Sequence, residues 1–463
     1  MKKVLLVSPS SKGMYAKAKV KVAVPERPSL TLATLASPLL QHGHCVQILD
    51  LDHVKNPKGA LGHAMEDMQP DFVGLTCTTP LVAEVKRITA LVKEYNPATI
   101  VVAGGPHPSA FPLETLIESC VDVICQGEGD YVLLSLVEGK DWSIIPGISY
   151  LNGGRSVNTG APELIKDLDK LPMPAWHLFD LSKYRTPRLS CKKNPVGTME
   201  TSRGCVFGCV YCNKTVFGRT FRVKTPQRVV DEMEHMLSCG FAEIHIMDDG
   251  FTTDLKRAKS ICDLIIERGL KFPWALHNGI RVDRIDQEFL EKARAAGCYE
   301  VTLGVETGDP EVMKQIHKGI THDQVIQAVK WAKEAGLETL TYFMLGLPGE
   351  TEESMKRTID FALKLDATYS KVSILLPLPG TPLFEEFERK GYLKSKQWDL
   401  YNQHDPALVY DHPNLSWDKI FKYYNLFYRR YYLRPAFIWR RFKKDAFSTM
   451  LFSDAIGFLR TKW

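Results

Sequence analysis

The sequence lacks a long apolar run. No uninterrupted apolar stretch approaches the roughly 18 residues that a membrane-spanning helix requires. At the N-terminus only residues 4–7 are apolar, far short of the ~7–15-residue core of a secretion signal. We therefore expect a cytoplasmic protein whose first apolar run is a buried strand.

A strong excess of charge of one sign is also missing. The 463 residues include 59 Lys and Arg against 54 Asp and Glu, a net charge of +5. This balance is too mild to indicate a nucleic-acid surface over the whole chain. The length predicts two or three domains, and the 44% hydrophobic content is ordinary for globular proteins.

Eleven cysteines occur without an export signal, which argues against a disulfide framework and for reduced thiols. Most of them lie singly in apolar or helical contexts, where a cysteine usually acts as a small buried residue. These are Cys45, Cys77, Cys120, Cys125, Cys239, Cys262 and Cys298.

The first 140 residues alternate apolar strands with helical patterns. Strands are predicted at 4–7, 46–49, 72–76, 100–103 and 121–125, and helices at 30–42, 81–95 and 113–120. Such alternation predicts an α/β domain with a doubly wound, Rossmann-like parallel sheet, whose ligands bind at the carboxyl ends of the strands. The sequence has no Gly-x-Gly-x-x-Gly, so a dinucleotide site is a poor interpretation.

Three further regions follow. Residues 141–195 are rich in Pro and Gly and predict a linker with one hairpin. Residues 196–390 contain six strand–helix units, which predict a partial (β/α)6 TIM barrel. Residues 391–463 predict a helical, basic and aromatic C-terminal extension.

Three closely spaced cysteines, Cys205, Cys209 and Cys212, are the strongest chemical signal. Structural zinc usually has four ligands, and no fourth Cys or His lies at a useful spacing. Three thiolates suit a 4Fe–4S cluster that leaves one iron open. The cluster is therefore favoured over zinc.

At these residues the sequence resembles the radical S-adenosylmethionine (SAM) superfamily, including the aromatic Tyr211 before the last cysteine. In that family the open iron chelates SAM, and reduction yields a 5′-deoxyadenosyl radical. The resemblance implies SAM contacts at the ends of later strands, and it places Glu350 as the cap of the following helix. The implied SAM-binding residues are Tyr211, Asp248, Asp249, Arg281, Glu306, Gly346, Leu347 and Pro348.

The N-terminal domain resembles the cobalamin-binding domain of cobalamin-dependent radical SAM enzymes. The segment 50–53 does not form the D-x-H-x-x-G motif, since Asn56 stands where glycine is needed, so a base-off cobalamin without a histidine from that loop is implied. A domain that has lost cobalamin remains the alternative. The implied cobalamin-binding residues are Thr76, Thr78, Gly104, Gly105, Pro106, His107, Gly127 and Glu128, with His107 more plausibly a loop residue than a cobalt ligand.

The segment 416–463 combines eleven Lys and Arg with fifteen aromatic residues, and Pro435 interrupts its helical spacing. A helix packed on the barrel and a helix at a membrane interface are equally favoured. Nucleic-acid stacking is the weaker third interpretation.

The resemblance implies a methyltransferase that acts on an unactivated carbon. One SAM would methylate cobalamin and a second would generate the radical. We expect a hydrophobic small-molecule substrate (a lipid, hopanoid or tetrapyrrole), an electron donor such as flavodoxin or ferredoxin, no nucleic acid, and a location in the cytoplasm or at the inner face of the membrane. A radical SAM oxidative cyclase, a cobalamin- or light-sensing regulator and a zinc-bound RNA-binding protein are the alternatives. The pattern indicates no individual catalytic side chain.

Overall fold

The computed structural model describes residues 1–12, 26–402 and 405–445. The first sheet has seven strands in the order β2-β1-β3-β4-β5-β6-β7. Strands β1 to β5 are parallel, as predicted, so their carboxyl ends meet at one edge. The strands are β1 Lys3–Ser8, β2 Cys45–Asp50, β3 Phe72–Thr76, β4 Ile100–Gly104, β5 Val123–Cys125, β6 Ile148–Asn152 and β7 Arg155–Asn158.

Six helices accompany this sheet. They are α1 Leu30–Gln41, α2 Pro57–Met68, α3 Val82–Tyr95, α4 Pro106–Ala110, α5 Pro112–Ser119 and α6 Asp130–Val137. The predicted helices correspond to α1, α3 and α5. Helix α2 was not predicted, because its two glycines weaken the helical pattern of the sequence. The Asn56 side chain caps this helix by accepting from the Gly59 amide.

The predicted boundary at residue 140 needs correction. Strands β6 and β7 form the expected hairpin, but β6 pairs antiparallel with β5 and extends the first sheet. Ile148 and Tyr150 are buried there, so the hairpin completes the core of the first domain. In the remaining stretch, residues 159–195, the only helical or strand elements are short 3-10 helices.

The second sheet is an open, all-parallel partial barrel in the order β15-β14-β13-β12-β11-β8, as predicted. Its strands are β8 Val196–Met199, β11 Glu243–Ile246, β12 Trp274–Ile280, β13 Cys298–Glu306, β14 Glu338–Leu345 and β15 Tyr369–Ile374. A separate two-stranded ribbon consists of β9 Ser202–Arg203 and β10 Arg222–Val223. The helices are α7 Pro226–Ser238, α8 Leu255–Glu267, α9 Gln287–Ala295, α10 Pro310–Gln315, α11 His322–Glu334, α12 Glu352–Leu365 and α13 Pro382–Arg389.

Two helices follow in the C-terminal extension, α14 Trp417–Tyr432 and α15 Pro435–Asp445, separated at the predicted proline. Helix α14 packs against α12 and β15. Its buried residues are Ile420, Tyr423, Phe427 and Tyr431. The rest of the predicted tail, residues 446–463, lies outside the described residues. Within the described part of the chain, no helix has the length and apolar character needed to cross a membrane.

Candidate active site

The three cysteines lie on a loop that joins β9 to β10 at the carboxyl end of the barrel. Gly204 opens the loop with φ of +83°, and a Cβ there would lie 2.4 Å from the Thr220 carbonyl oxygen. Only glycine combines this conformation with this approach. The Val210 amide donates to Ile316 O at 3.2 Å, and Val210 O accepts from the Leu383 amide at 3.1 Å. The loop is therefore held by backbone bonds on both sides.

The thiols of this loop are free and accessible. Cys205 and Cys209 are half-buried and Cys212 is exposed. Although Cys212 is exposed overall, desolvation of its thiol by the surrounding loop raises the pKa of Cys212 to about 11, with nearby Lys214 acting in the opposite direction. The free thiol is therefore protonated, and cluster binding would displace that proton. A Cβ on Gly208 would meet no atom within 4 Å, which leaves open space in front of the loop. Among the described residues, no three metal-binding side chains are grouped to hold a single ion.

Glu306 and Lys318 form the barrel-side wall of the cysteine loop. Lys318 Nζ donates to Glu306 Oε1 at 2.7 Å, and Tyr211 also hydrogen-bonds to Glu306. Burial alone would lower the pKa of Lys318, but Glu306 and the Cys209 thiol raise it above its usual value. Sequence reasoning missed Lys318, because a lysine after a short helix carries no periodic signal.

The two aspartates after β11 have different environments. Asp248 is buried and accepts from the Thr201 amide, Thr201 Oγ1 and Ser202 Oγ at 2.5, 2.5 and 2.6 Å. Asp249 is exposed overall, but desolvation of its carboxyl, together with nearby Asp248, raises its pKa against the opposing effect of Lys214. Asp249 is thus the carboxylate available to a ligand. Lys214 Nζ is buried without a hydrogen-bond partner among the described residues.

Arg281 packs over the cysteine loop, with its guanidinium carbon 3.6 Å from the centre of the Phe207 ring. Asp283 accepts from its Nε at 2.9 Å and from one terminal nitrogen at 3.1 Å. The other terminal nitrogen, Nη1, is buried and has no partner in the described structure. This unpaired donor suits a ligand oxygen. Phe207 was not predicted. The signal that could have indicated it is an aromatic residue between the first and second cysteines of the loop.

The turn after β14 is built around Glu350. Its Oε2 accepts from the Gly346 and Leu347 amides at 2.6 and 3.1 Å, and Gly346 has φ of +77°. The prediction that Glu350 caps the following helix is wrong, because Thr351 forms the cap and Glu350 folds back into the turn. His412 Nε2 lies 3.2 Å from Leu347 O, so the C-terminal extension covers this turn.

The predicted cobalamin loops lie together at the carboxyl edge of the first sheet. Gly105 has φ of +119°, and a Cβ there would lie 2.8 Å from the Cys77 carbonyl oxygen, so the loops after β3 and β4 pack tightly. Five of the eight predicted residues are at least partly accessible. They are Thr76, Thr78, Gly104, Gly105 and Pro106.

The other three predicted residues are buried. His107 packs on Trp398 with ring centroids 4.8 Å apart, and burial lowers its pKa to about 4. Gly127 lies against Pro162 and Val216. The Glu128 side chain has no exposed surface and accepts from Arg203 and Arg222. The observed contacts of His107 and Glu128 are thus internal to the protein.

Glu128 belongs to a buried ion cluster, formed by Glu128 and Asp130 of the first domain with Glu200, Arg203 and Arg222 of the second. Arg222 Nη1 lies 2.9 and 2.8 Å from the two Glu128 oxygens, and Arg203 Nη1 lies 3.1 Å from Glu128 and 2.9 Å from Asp130. Burial alone would lower the pKa of Arg203, but the neighbouring carboxylates of Glu200, Asp130 and Glu128 hold it well above its usual value. Both strands that flank the cysteine loop are thereby tied to the first domain.

The carboxyl edges of the two sheets face each other across the cysteine loop. Thr215 Oγ1 donates to Pro106 O at 3.4 Å. Val216 O lies 3.5 Å from the position of a Cβ on Gly127. The thiols therefore lie between the loops of the first sheet and the polar groups of the barrel.

Comparison with known proteins agrees with this architecture. Residues 199–362 match the Radical SAM superfamily, and residues 17–137 match the B12 binding domain. An uncharacterized methyltransferase of Pyrococcus horikoshii is 33% identical over 440 residues, which cover 94% of this chain and 93% of that protein. The chain belongs to the cobalamin-dependent radical SAM enzymes.

A further relative of this radical SAM enzyme and a solved structure with the same fold are informative. The anaerobic magnesium-protoporphyrin IX monomethyl ester cyclase of Rubrivivax gelatinosus is 29% identical over 390 residues, 82% of this chain and 68% of the cyclase. The radical SAM methyltransferase TsrM of Kitasatospora setae, solved with cobalamin and a [4Fe-4S] cluster, shares the fold with a TM-score of 0.68 at 23% identity. That match covers 84% of this chain and 78% of TsrM.

Proposed function

We propose that this radical SAM enzyme methylates an unactivated carbon, using a 4Fe–4S cluster, SAM and cobalamin. The observation that carries the proposal is the position of the cysteine loop between the carboxyl edges of two parallel sheets. One edge offers small, accessible loops to a bulky ligand, and the other offers Asp249, Glu306 and Arg281. Substrate and cofactors held between these edges would react at short range, shielded from water.

The protein's groups divide among the three cofactors by chemistry. Cys205, Cys209 and Cys212 would hold the cluster, and the loops at Thr76–Thr78 and 104–106 would hold base-off cobalamin. When bound, these cofactors supply the radical and the methyl group. Asp249 can accept from the amino group of SAM, while the unpaired nitrogen of Arg281 can donate to one of its oxygens.

A radical SAM cyclase is the second candidate, favoured by the similarity to the Rubrivivax gelatinosus enzyme. The two functions differ in their products, since only methylation converts SAM to S-adenosylhomocysteine. Reconstituted protein should therefore be reduced with dithionite and supplied with SAM, cobalamin and a cell extract as substrate source. Methylation predicts both 5′-deoxyadenosine and S-adenosylhomocysteine, whereas 5′-deoxyadenosine alone would favour the cyclase.

The cluster assignment has its own control. Replacing Cys205, Cys209 and Cys212 together by Ala should abolish 5′-deoxyadenosine formation, whereas Cys239→Ala, at a half-buried helix end, should retain it. Iron bound by the triple variant at the wild-type level would contradict the assignment.

Cobalamin binding is best tested at Thr78, which is exposed at the carboxyl edge of the first sheet. Gly105 is unsuitable, because any side chain there would collide with the Cys77 backbone. Thr78→Tyr should block cobalamin uptake, while Lys86→Tyr on the exposed face of α3 should not. Equal uptake by both variants, measured by absorbance of the bound corrin, would contradict this site.

A hydrophobic substrate drawn from a membrane surface, and flavodoxin or ferredoxin as the electron donor to the cluster, complete the proposal. Support comes from α15, where Ile438, Trp439 and Phe442 are exposed beside Lys443. Trp439→Glu combined with Phe442→Glu should weaken co-sedimentation with anionic vesicles, relative to Ile117→Glu on the first domain. Wild-type protein that ignores such vesicles at low salt would leave α15 without a membrane role.

A further inference from the structure

The barrel interior holds polar side chains that the proposed cofactor sites do not use. On β15, Ser370, Val372 and Ile374 are buried, whereas Lys371 between Ser370 and Val372 is accessible. Because successive side chains of a strand point to opposite faces, Lys371 lies on the face away from the buried set. Its electrostatic neighbours are Glu300 and Arg27, so this face is the inner face of the barrel.

Two cations in this interior lack a close counter-ion. Among the described residues, neither Lys371 nor Arg27 forms a salt bridge within 4.0 Å. Desolvation inside the barrel lowers the pKa of both groups, which indicates that their positive charges are incompletely compensated. Glu300 is the acid that interacts electrostatically with Lys371, but its close contact is with His277, whose Nδ1 lies 3.5 Å from Glu300 Oε1.

Several polar atoms in this interior also lack hydrogen bonds. Arg27 Nε and Thr302 Oγ1 are buried and form no hydrogen bond within the described structure, and buried His277 Nδ1 has only its 3.5 Å approach to the Glu300 carboxylate. An unpaired buried polar group costs about 1–3 kcal/mol, so a folded protein rarely keeps several together without a ligand or water to satisfy them. Their concentration in one interior is characteristic of a polar binding site.

The height of Lys371 in the barrel relates this group to the proposed reaction. Lys371 is in register with Tyr342, which in turn is in register with Gly304. Gly304 precedes Glu306 by two residues, or roughly 7 Å along a strand. A ligand group held by Lys371 would therefore lie just below Glu306 and the cysteine loop.

We propose that the substrate carries an anionic group, a carboxylate or a phosphate, which Lys371 and Arg27 bind inside the barrel. His277 and Thr302 provide hydrogen bonds to the same polar end. This inference rests on the proposed function and specifies its substrate class, since it adds a charged end to the hydrophobic substrate expected above. Lys371 and Arg27 are binding groups here and take no part in bond cleavage.

The test uses three small probes with the reconstituted holoenzyme: acetate, methylphosphonate and neutral acetamide. Binding is followed by ligand-observed NMR in wild type, Lys371→Met, Lys371→Arg and Lys330→Met. Lys330 pairs with Glu334 on the outer helix α11 and is the matched control. We expect at least one anionic probe to bind wild type, K371R and K330M, and to bind K371M at least tenfold more weakly.

Each outcome decides the point. Acetate alone identifies a carboxylate site and methylphosphonate alone a phosphate site. Equal binding by K371M, acetamide binding as strong as that of the anions, or no anion binding to wild type would overturn the inference. The 5′-deoxyadenosine formed from SAM without substrate is measured in parallel. If wild type forms no 5′-deoxyadenosine, the proposed function is contradicted. If wild type forms 5′-deoxyadenosine but binds no anionic probe, only this inference is contradicted.

Discussion

Adjacent residues can have unrelated roles when the chain turns out of a strand. Asp248 bonds to Thr201 and Ser202 and joins the ends of β8 and β11, whereas Asp249 faces the cysteine loop beside Lys214. A carboxylate that satisfies three protein donors contributes to stability, and one that is exposed at the thiols can contact a ligand.

This difference predicts opposite effects for two amide substitutions. Asp248→Asn should destabilise the fold by about 2 kcal/mol or more, because it weakens charge-assisted bonds to buried donors. Asp249→Asn should leave the melting temperature close to wild type and reduce SAM cleavage at least tenfold. Thermal unfolding and 5′-deoxyadenosine assays give both values. A stable Asp248→Asn variant with impaired cleavage would reverse these roles.

Glu350 predicts a pH dependence of stability. Burial raises its pKa to about 8, against the opposing effect of the Leu347 and Gly346 amides, while the unfolded chain has a pKa near 4.5. The folded state therefore keeps a proton that the unfolded state loses between these values, so stability falls as pH rises through this window. One pKa unit corresponds to about 1.4 kcal/mol.

Glu350→Gln removes the titrating proton and keeps an oxygen for the Gly346 and Leu347 amides. We expect the wild-type melting temperature to decrease from pH 5.5 to pH 8.5 by more than that of the variant. Glu353→Gln, on the exposed surface of α12, should follow wild type. Parallel pH profiles for wild type and Glu350→Gln would refute the assignment.

At the scale of elements, the C-terminal helix completes the open edge of the barrel. The Tyr428 hydroxyl accepts from the Val372 amide at 3.3 Å and donates to Val372 O at 2.9 Å. Tyr432 does the same at Ser370, at 3.1 and 2.6 Å. The rings lie 6.1 Å apart, close to the ~6.6 Å advance of two strand residues. The aromatic spacing of α14 thus supports the packing interpretation for that helix.

Removing these hydroxyls should expose an unpaired strand edge. Tyr428→Phe and Tyr432→Phe should each cost about 1–2 kcal/mol, and the double variant should aggregate more readily on heating. Tyr423→Phe is the control on the same helix, because its hydroxyl bonds only to the Glu352 side chain among the described contacts. Denaturant unfolding and light scattering measure the two effects. Equal costs for all three variants would contradict the edge role.

At the scale of the whole molecule, the buried ion cluster joins the two domains at the cysteine loop. Glu128→Gln would leave Arg203 and Arg222 buried with less compensating charge, and such losses typically cost about 3–5 kcal/mol. We expect a lower melting temperature, separation of unfolding into two transitions and weaker cobalamin retention. Glu138→Gln, in a partly exposed pair with His42, should change none of these. Calorimetry that shows one unchanged transition for Glu128→Gln would contradict the coupling.

Much of the architecture was predictable because its causes are local. Apolar periodicity predicted the strands of both sheets, and the spacing of Cys205, Cys209 and Cys212 predicted the thiol loop. Glycines such as Gly204 mark positions where the backbone itself requires them. These signals depend on residues that are close together in the chain, so a single sequence contains them.

Tertiary structure alone decided which polar groups meet. Glu128 lies 94 residues from Arg222 in sequence, and Lys371 lies more than 300 residues from Arg27, so no local pattern relates them. The same holds for Asp248 and Asp249, which look equivalent until the ends of β8 and β11 come together. Periodicity determines which face of an element is apolar, whereas the partners of a charged side chain depend on the three-dimensional packing of distant elements.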